Sequence, residues 1–398
     1  MTDRGHIIVA GAGPVGAVAA LAAAQRGFRV TLVERNAEID HAPRAATFHP
    51  STLELIDEIG VIDEFVSVGL VCRYFDFWDK TTETLVARMD HDNLRDDTKF
   101  PYVVQTEQHK LVRIVLDRLE KMSDVDVRLG WSIDTISQDA DRVTVSISSG
   151  DETEVLTGDW LFGCDGGRST VRKALGIEFD GYTWPERFAV LTTSYDFGTE
   201  MGCATRSYFA DPDQWVNLFK VAGDDLRGRW RVVFAARPDQ TDEEALGDEH
   251  AERVMTAIHP DDRPRELLHR NIYNVHQRVA AQFRRGRVLL AGDAAHVNNP
   301  IGGLGLNCGV HDALELVRTL DTAPSLLDRY ERRRRTINIE FVQQQTVDNK
   351  KRLEEKDPEV RKARLDRLTE ISADQQLQRQ FLRRTSLLDS VVRANEID

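Results

Sequence analysis

Three glycines, Gly11, Gly13 and Gly16, stand in the order GAGPVG between the apolar run His6–Ala10 and the alanine-rich stretch Ala17–Arg26. In a strand–turn–helix, this spacing builds a dinucleotide cradle. Gly11 permits the tight turn, Gly13 lets the backbone approach a pyrophosphate, and Gly16 lets the helix close on the sheet. Pro14 and Val15 fill the turn, and the helix beginning there offers free N–H groups and a positive dipole end to phosphate. Glu34 ends the next apolar run, Arg29–Glu34, with Arg35 beside it. Glu34 can accept both ribose hydroxyls, and its charge disfavours a 2′-phosphate. The fingerprint alone leaves NAD and FAD open.

A second stretch, GRVLLAGDAAHVNNPIGGLGLNCG over residues 286–309, separates them. Asp293 follows a buried strand, where an acid needs a polar partner. The row of hydroxyls on a ribityl chain would supply one. Pro300 starts a turn, and Gly302, Gly303 and Gly305 keep the following backbone bare. N–H groups at the start of the helix near Leu306 and Asn307 could stabilise negative charge on a reduced ring. These features favour FAD.

The elements that must hold these residues follow from pattern. His6–Ala10, Arg29–Glu34, Trp160–Cys164 and Arg287–Ala291 read as buried strands, with a helix over Glu107–Lys121 and one from Leu304 to Leu320. Residues 183–275 are richer in aromatics, with strand-like pieces at Arg206–Ala210, Trp215–Val221 and Trp230–Ala236. The expected fold class is α/β: a Rossmann-type FAD-binding domain with a parallel sheet, interleaved with a mostly antiparallel β-sheet substrate domain, then C-terminal helices. The expected divisions are 1–72, 98–182 and 276–330 for FAD, 73–97 and 183–275 for substrate, and 331–398 for the helices. Asp357–Pro358 reads as a helix start. Arg332–Arg335 would spread around a helix and read as a solvated face.

Composition limits the alternatives. The 398 residues carry a net charge of −14, which disfavours a nucleic-acid partner. Cys72, Cys164, Cys203 and Cys308 are widely spaced, which suits a reducing, cytoplasmic setting without a disulfide framework. No signal peptide or membrane span is expected. His276 and His296 lack ligand spacing, so no metal is expected.

GAGPVG (Gly11–Gly16), CDGGRSTVR (Cys164–Arg172) and GDAAHVNNPIGGLGLN (Gly292–Asn307) occur in this order. Over residues 5 to 330 the chain resembles the single-component flavoprotein aromatic hydroxylases of the p-hydroxybenzoate hydroxylase class. The resemblance implies FAD as cofactor, with NADH or NADPH and O₂ as co-substrates. Reduced flavin would form a C4a-hydroperoxide that hydroxylates an electron-rich ring. It also implies roles. Asp165 and Gly166 would lie at the pyrophosphate and nicotinamide path, with Arg172 closing that motif. Gly292 and Asp293 would hold the ribityl chain. Arg44 and Gln105 would contact FAD, and the backbone of Leu306 and Asn307 would face the pyrimidine end. Leu304 departs from the polar residue many relatives carry there.

The substrate would be a small phenolic or N-heteroaromatic compound. Its contacts are sought among Phe48, His49, Arg206, Tyr208, Trp215 and Asn217, with Pro300 on the flavin side. His49 could be a base or relay, or a surface-loop histidine. Tyr208 and Trp215 could line a pocket or fill a core. Arg206 could hold a carboxylate or be a solvated strand-edge charge. A flavin halogenase would carry WxWxIP, which is absent. A flavin epoxidase, a drug-inactivating hydroxylase and a redox-sensing flavoprotein with no organic product stay open. The C-terminal helices could pack in a homodimer or against a partner.

Overall fold

The computed structural model describes residues 4–42 and 44–398. Met1–Asp3, at the expected start of the cofactor domain, and Pro43, beside Arg44, lie outside the described residues. Five strands run parallel in the order Val288–Leu290, Trp160–Gly163, His6–Ala10, Arg29–Glu34 and Val125–Leu129. His6–Ala10 is buried at every position. Both its faces are covered, so it reads as a continuous apolar run without alternation.

The glycine turn is sterically determined. Gly11 has φ +97°, and a side chain there would meet the Cys164 carbonyl. A methyl on Gly16 would overlap the Gly11 carbonyl oxygen. The helix Pro14–Gln25 starts with Pro at its first turn and is buried along most of its length. It packs against the long helix Leu304–Thr322.

The second layer is an eight-stranded sheet in the order His296–Val297, Leu267–Ala280, Phe179–Thr193, Arg229–Ala236, Val216–Val221, Arg206–Ala210, Tyr74–Asp79 and Thr84–Asp90. Every pairing is antiparallel except that between Arg206–Ala210 and Tyr74–Asp79. Residues directly opposite in antiparallel strands share a face. One face therefore carries the row Arg206, Phe219, Arg231 and Thr192, and beside it Tyr208, Asn217, Val233 and Val190. The other face buries Leu191, Phe209, Leu218, Val232 and Phe234 under the helix Asp248–Thr256. That helix and its neighbour Asp242–Leu246 were not expected in this region. The signal was present: Thr241 and Glu244 form a reciprocal capping box.

The run Arg332–Arg335 lies on the helix Leu327–Ile337 and is only partly a solvated face: Arg332 is exposed, Arg333 and Arg335 are half-buried and Arg334 is buried. Arg334 is buried and donates to Asp312, Arg335 donates to the Ala280 carbonyl, and Arg332 and Arg333 donate to the carbonyls of Asp398 and Ile397. The helix is flanked by protein on several sides, so each arginine finds a different acceptor. Asp357 caps Pro358–Ala373 as expected, accepting from the N–H of Glu359 and Val360.

The acidic segment Asp90–Asp97 holds a 3₁₀ turn over His91–Leu94 and docks the C-terminal helices. Asp97 accepts from Arg379 on two hydrogen bonds and also pairs with Arg383. Arg379, against the cost of burial and together with Arg383, holds the Asp97 carboxyl below its ordinary range. Removing the acid leaves two arginines without it. Asp97→Ala should therefore speed proteolytic cleavage within residues 374–398 several-fold. Limited proteolysis with mass spectrometry reads this directly. An unchanged cleavage rate would show that the pair does not fasten these helices.

Candidate active site

The glycine turn, the segment around Gln105, the Asp165 turn and the Gly292–Asn307 segment converge at one end of the parallel sheet. Glu34 is fixed there by two backbone donors: its carboxylate accepts from Ala12 N at 2.9 Å and from Asn36 N at 2.9 Å. Arg35 beside it is exposed. Gly13, the residue before the helix, has nothing within 4 Å of where a side chain would project. Neither Pro14–Gln25 nor Leu304–Thr322 has a side-chain N-cap or an acid in its first turn. Two helix dipoles thus end in uncapped N–H groups, which suits phosphate at one and a developing ring anion at the other.

Asp165 is used locally. It accepts from Ser169 Oγ at 2.5 Å, Thr170 N at 2.6 Å and Val171 N at 3.1 Å, so its carboxylate caps Thr170–Ala174. The Asp165 and Gly166 backbone is left beside Gly11. Arg172, buried, joins two motifs by donating to the Ala294 and Gly167 carbonyls. Asp293 is exposed to solvent at the residue level, and its carboxyl is crowded by the surrounding chain. That desolvation pushes its pKa up, and His296 and Arg44 pull against it. Arg44 itself is exposed and paired with Asp40 at 2.8 Å, and its carbonyl accepts from Arg231.

Gln105 is fully buried and neither amide atom has a partner among the described residues. It pairs across a small sheet with Thr47, whose side chain lies against Gly303. Asn307 staples this sheet to the long helix, accepting from His49 N at 2.8 Å and donating to the Thr47 and Gly303 carbonyls. Pro300 accepts from Gly303 N and shapes the turn. An orphaned buried amide, an open Gly13 face and two bare helix starts are what a flavin dinucleotide would satisfy.

His49 is not on a surface loop. It is fully buried as the residue before Pro50–Glu58. Nε2 lies 2.8 Å from the Gly302 carbonyl, which only accepts, so Nε2 carries the proton and Nδ1 is a bare acceptor without a partner. Burial and then the charge of Arg206 hold its pKa well below the ordinary value. It can accept a hydrogen bond, but it is a poor base at neutral pH. Arg206 is not a solvated edge charge either. It is buried, lies 3.9 Å over the Phe75 ring and donates to the Gly302 carbonyl at 3.3 Å.

Tyr208 is buried among Phe75, Phe77 and Phe219, yet its hydroxyl has no partner among the described residues. Asn217 Oδ1 and Thr192 Oγ1 on the same face are also unpaired. Trp215 and Phe48 are core residues, packed on Phe188 at 5.0 Å and Phe65 at 4.6 Å.

Sequence reading missed the group behind the Gly292 turn. Asp312 is fully buried and accepts from Gly292 N at 3.0 Å, His296 Nε2 at 2.6 Å and Arg334 Nε at 2.6 Å. Burial pushes its pKa up, but His296 and Arg334 outweigh this and hold it below the ordinary value. His296, Cys308 and Asp312 are close enough to share an ion. The Arg334 guanidinium already sits among them, donating to Asp312 and to Cys308 Sγ, so their cation is an arginine. No spacing in the sequence pointed to Asp312.

The fold and this groove define an FAD-binding oxidoreductase. Residues 4–345 match the family described as FAD binding domain. The chain is 34% identical over 384 residues to para-nitrophenol 4-monooxygenase of Pseudomonas sp. (strain WBC-3), covering 94% of each. It is 32% identical over 367 residues to 6-hydroxy-3-succinoylpyridine 3-monooxygenase HspB of Pseudomonas putida (strain DSM 28022 / S16), covering 90% of this chain and 91% of that one. The crystal structure of p-nitrophenol 4-monooxygenase PnpA from Pseudomonas putida DLL-E4 superposes with a TM-score of 0.88 at 33% identity, covering 94% of this chain and 96% of that one. The chain belongs to the FAD binding domain family and is an FAD-dependent aromatic hydroxylase of the single-component type. Among the described residues, no helix is long and apolar enough to cross a membrane.

Two outcomes follow from these buried groups. His91 and His311 are buried, and desolvation lowers them to about 4 and about 3, helped by Arg206 and Arg334 respectively. An unfolded histidine takes its proton near 6.5, so stability present at pH 7 is lost as pH falls below that value. For His91 the loss reaches about 3 kcal/mol near pH 4. Thermal melts from pH 7.5 to 4.5 should show a falling Tm, with a shallower slope in His91→Phe. Separately, Asp312→Asn should weaken FAD retention about tenfold, because Gly292 N loses a charged acceptor. Fluorescence titration of the apoprotein measures this, and unchanged affinity would separate Asp312 from the flavin turn.

Proposed function

We propose that this chain hydroxylates a small phenolic or N-heteroaromatic compound, with NADH or NADPH as reductant and O₂ as oxidant. The observation that carries the proposal is the adjacency of two features: a groove built for a flavin dinucleotide and a sheet face bearing unpaired buried polar atoms. The relatives named para-nitrophenol 4-monooxygenase and 6-hydroxy-3-succinoylpyridine 3-monooxygenase act on a phenol and a hydroxypyridine by name, which supports this substrate class.

FAD, when bound, supplies the redox chemistry and the activation of oxygen. The protein's part is to bind, orient and exclude water. Gly11, Gly13, Pro14, Val15 and Gly16 would hold the pyrophosphate, Glu34 and Arg35 the adenosine ribose, and Gly292 and Asp293 the ribityl chain. Gln105, Pro300, Gly303, Gly305, Leu306 and Asn307 would border the ring, with Arg44, Asp165 and Gly166 toward the reductant. Tyr208 would meet the substrate hydroxyl, which in free phenols titrates near 10, and His49 Nδ1 would accept a hydrogen bond beside it.

Residues 1–72, 98–182 and 276–330 would form the cofactor unit, and 73–97 and 183–275 the substrate unit. We place the enzyme in the cytoplasm, with the C-terminal helices as the surface for a homodimer.

The direct test is NAD(P)H oxidation by the purified yellow protein, with oxygen uptake and peroxide followed together against phenols and hydroxypyridines. A compound that speeds oxidation and gains the mass of one oxygen atom supports the reading. Peroxide alone with every compound counts against it. Asp293→Ala should lose most bound FAD, read as flavin absorbance after desalting. Full occupancy would move the ribityl chain elsewhere.

A further inference from the structure

The turn Asn299–Gly302 is shaped only in part by its own residues. Pro300 fixes one φ. Gly302 has φ +116°, and a side chain there would also meet Asn349 Nδ2. The rest of the constraint comes from a buried amide on the strand Leu267–Ala280. Gln277 Oε1 accepts from Asn299 N at 3.0 Å and Asn299 Nδ2 at 3.3 Å, with Trp184 Nε1 at 3.4 Å. Gln277 Nε2 donates to Thr346 Oγ1 at 3.0 Å and to the Gln343 carbonyl at 3.3 Å. Asn299 presents only donors to it, so the amide must turn its oxygen to the turn and its nitrogen to the helix Gln344–Leu353. The Thr346 hydroxyl gives its own proton to the Val342 carbonyl at 2.8 Å. Gln277, Asn299 and Thr346 are all buried.

Two more bonds reach the same segment from this helical region. Gln343 Nε2 donates to the Val297 carbonyl at 3.1 Å, and Asn349 Nδ2 to the Ile301 carbonyl at 3.2 Å. Asn299 Oδ1 takes the Ile301 N–H at 3.1 Å. What these bonds place is the Gly302 carbonyl. It accepts from His49 Nε2 at 2.8 Å and from Arg206 Nη2 at 3.3 Å. An acceptor at that point keeps the His49 proton on Nε2 and leaves Nδ1 bare. A chain of buried hydrogen bonds therefore runs from Thr346 through Gln277 and Asn299 to the tautomer of His49. Breaking such a chain leaves buried polar groups unsatisfied, so its members act as a unit.

We propose that Gln277 is a positioning residue for the hydroxylation: it sets the place of the Pro300 turn and, through the Gly302 carbonyl, the state of His49. It acts through Asn299 and not on the substrate. This rests on the reading that the Pro300 turn borders the flavin ring.

The test compares Gln277→Leu, Thr346→Val and the double variant, each as the FAD-loaded full chain. Leu removes both ends of the link. Thr346→Val removes the far anchor and leaves the turn's own residues intact. Two properties are read at matched flavin occupancy: the absorbance and fluorescence of the bound oxidised flavin, and the share of consumed NAD(P)H that ends as peroxide with a hydroxylated compound present. Gln277→Leu should shift the flavin spectrum and raise the peroxide share several-fold. Thr346→Val should do both to a smaller extent. The double variant should be no worse than Gln277→Leu, because the Thr346 effect travels through Gln277. A residue that only stabilises the fold would lower Tm and leave both readouts of the surviving holoenzyme at wild-type values, and that result overturns the proposal. Fully additive effects in the double variant overturn it as well. Should Gln277→Leu fail to fold, Thr346→Val decides on the same two readouts. If the wild-type inserts oxygen into no compound, the hydroxylase reading falls, and the flavin spectrum still decides the role of Gln277.

Discussion

The buried carboxylate of Asp312 is the point on which the architecture turns. Three donors from three places meet on it: the Gly292 amide, the His296 ring and the Arg334 guanidinium. A buried carboxylate left unpaired would be expensive, and one that is paired and hydrogen-bonded imposes geometry on whatever pairs with it. Asp312 lies on the long helix, Gly292 opens the 3₁₀ turn just after the Val288–Leu290 strand of the parallel sheet, His296 begins the short strand that joins the antiparallel sheet, and Arg334 comes from the C-terminal region. One charge thereby registers both sheets and the helical tail against the turn that carries Asp293.

A second set of constraints acts at the helix starts. Gly16 brings the first helix against its own turn, and the second turn of the long helix lies against Val15 and Gly292. Asn307 then spends its side chain holding the Thr47 strand and the Gly303 carbonyl. Asn307 satisfies its own side chain at this junction, while the Gln105 amide and the N–H groups of the helix starts stay free. A cradle for anionic and electron-rich groups is the consequence of how tightly the elements approach.

The antiparallel sheet divides its faces by chemistry. The apolar side is covered by the helix Asp248–Thr256. The other side mixes aromatic rings with Arg206, Tyr208, Asn217, Arg231 and Thr192, several of them buried with unpaired atoms. The C-terminal helices close over this mixed face through Leu353, Leu368, Phe381, Leu382 and Leu388, which cluster with Phe75, Phe77 and Tyr208. Loss of those helices would expose the aromatic face rather than the nucleotide groove.

Local chemistry made much of this readable in the residues alone. The GAGPVG turn, Glu34 at a strand end, and the glycines after Pro300 depend on backbone geometry within a few residues, so type and spacing suffice to recognise them. The buried strands were legible because a doubly covered strand is apolar throughout. The helices at 242–256 were written in the Thr241–Glu244 capping box and were overlooked amid aromatic strands. Other features depended on contacts between distant segments. His49 is followed by Pro50 and looks like a loop residue, and it is buried with its N–H held by Asn307, 258 residues away, and its ring against the Gly302 carbonyl. The Arg332–Arg335 run looks solvated until Asp312 and the C-terminus arrive around it. Sequence by itself determined the cofactor class and the glycine turn proposed to hold it, because those are short-range geometry. Tertiary structure alone decided which charges are buried and which are left unpaired, because burial depends on what the rest of the chain brings alongside.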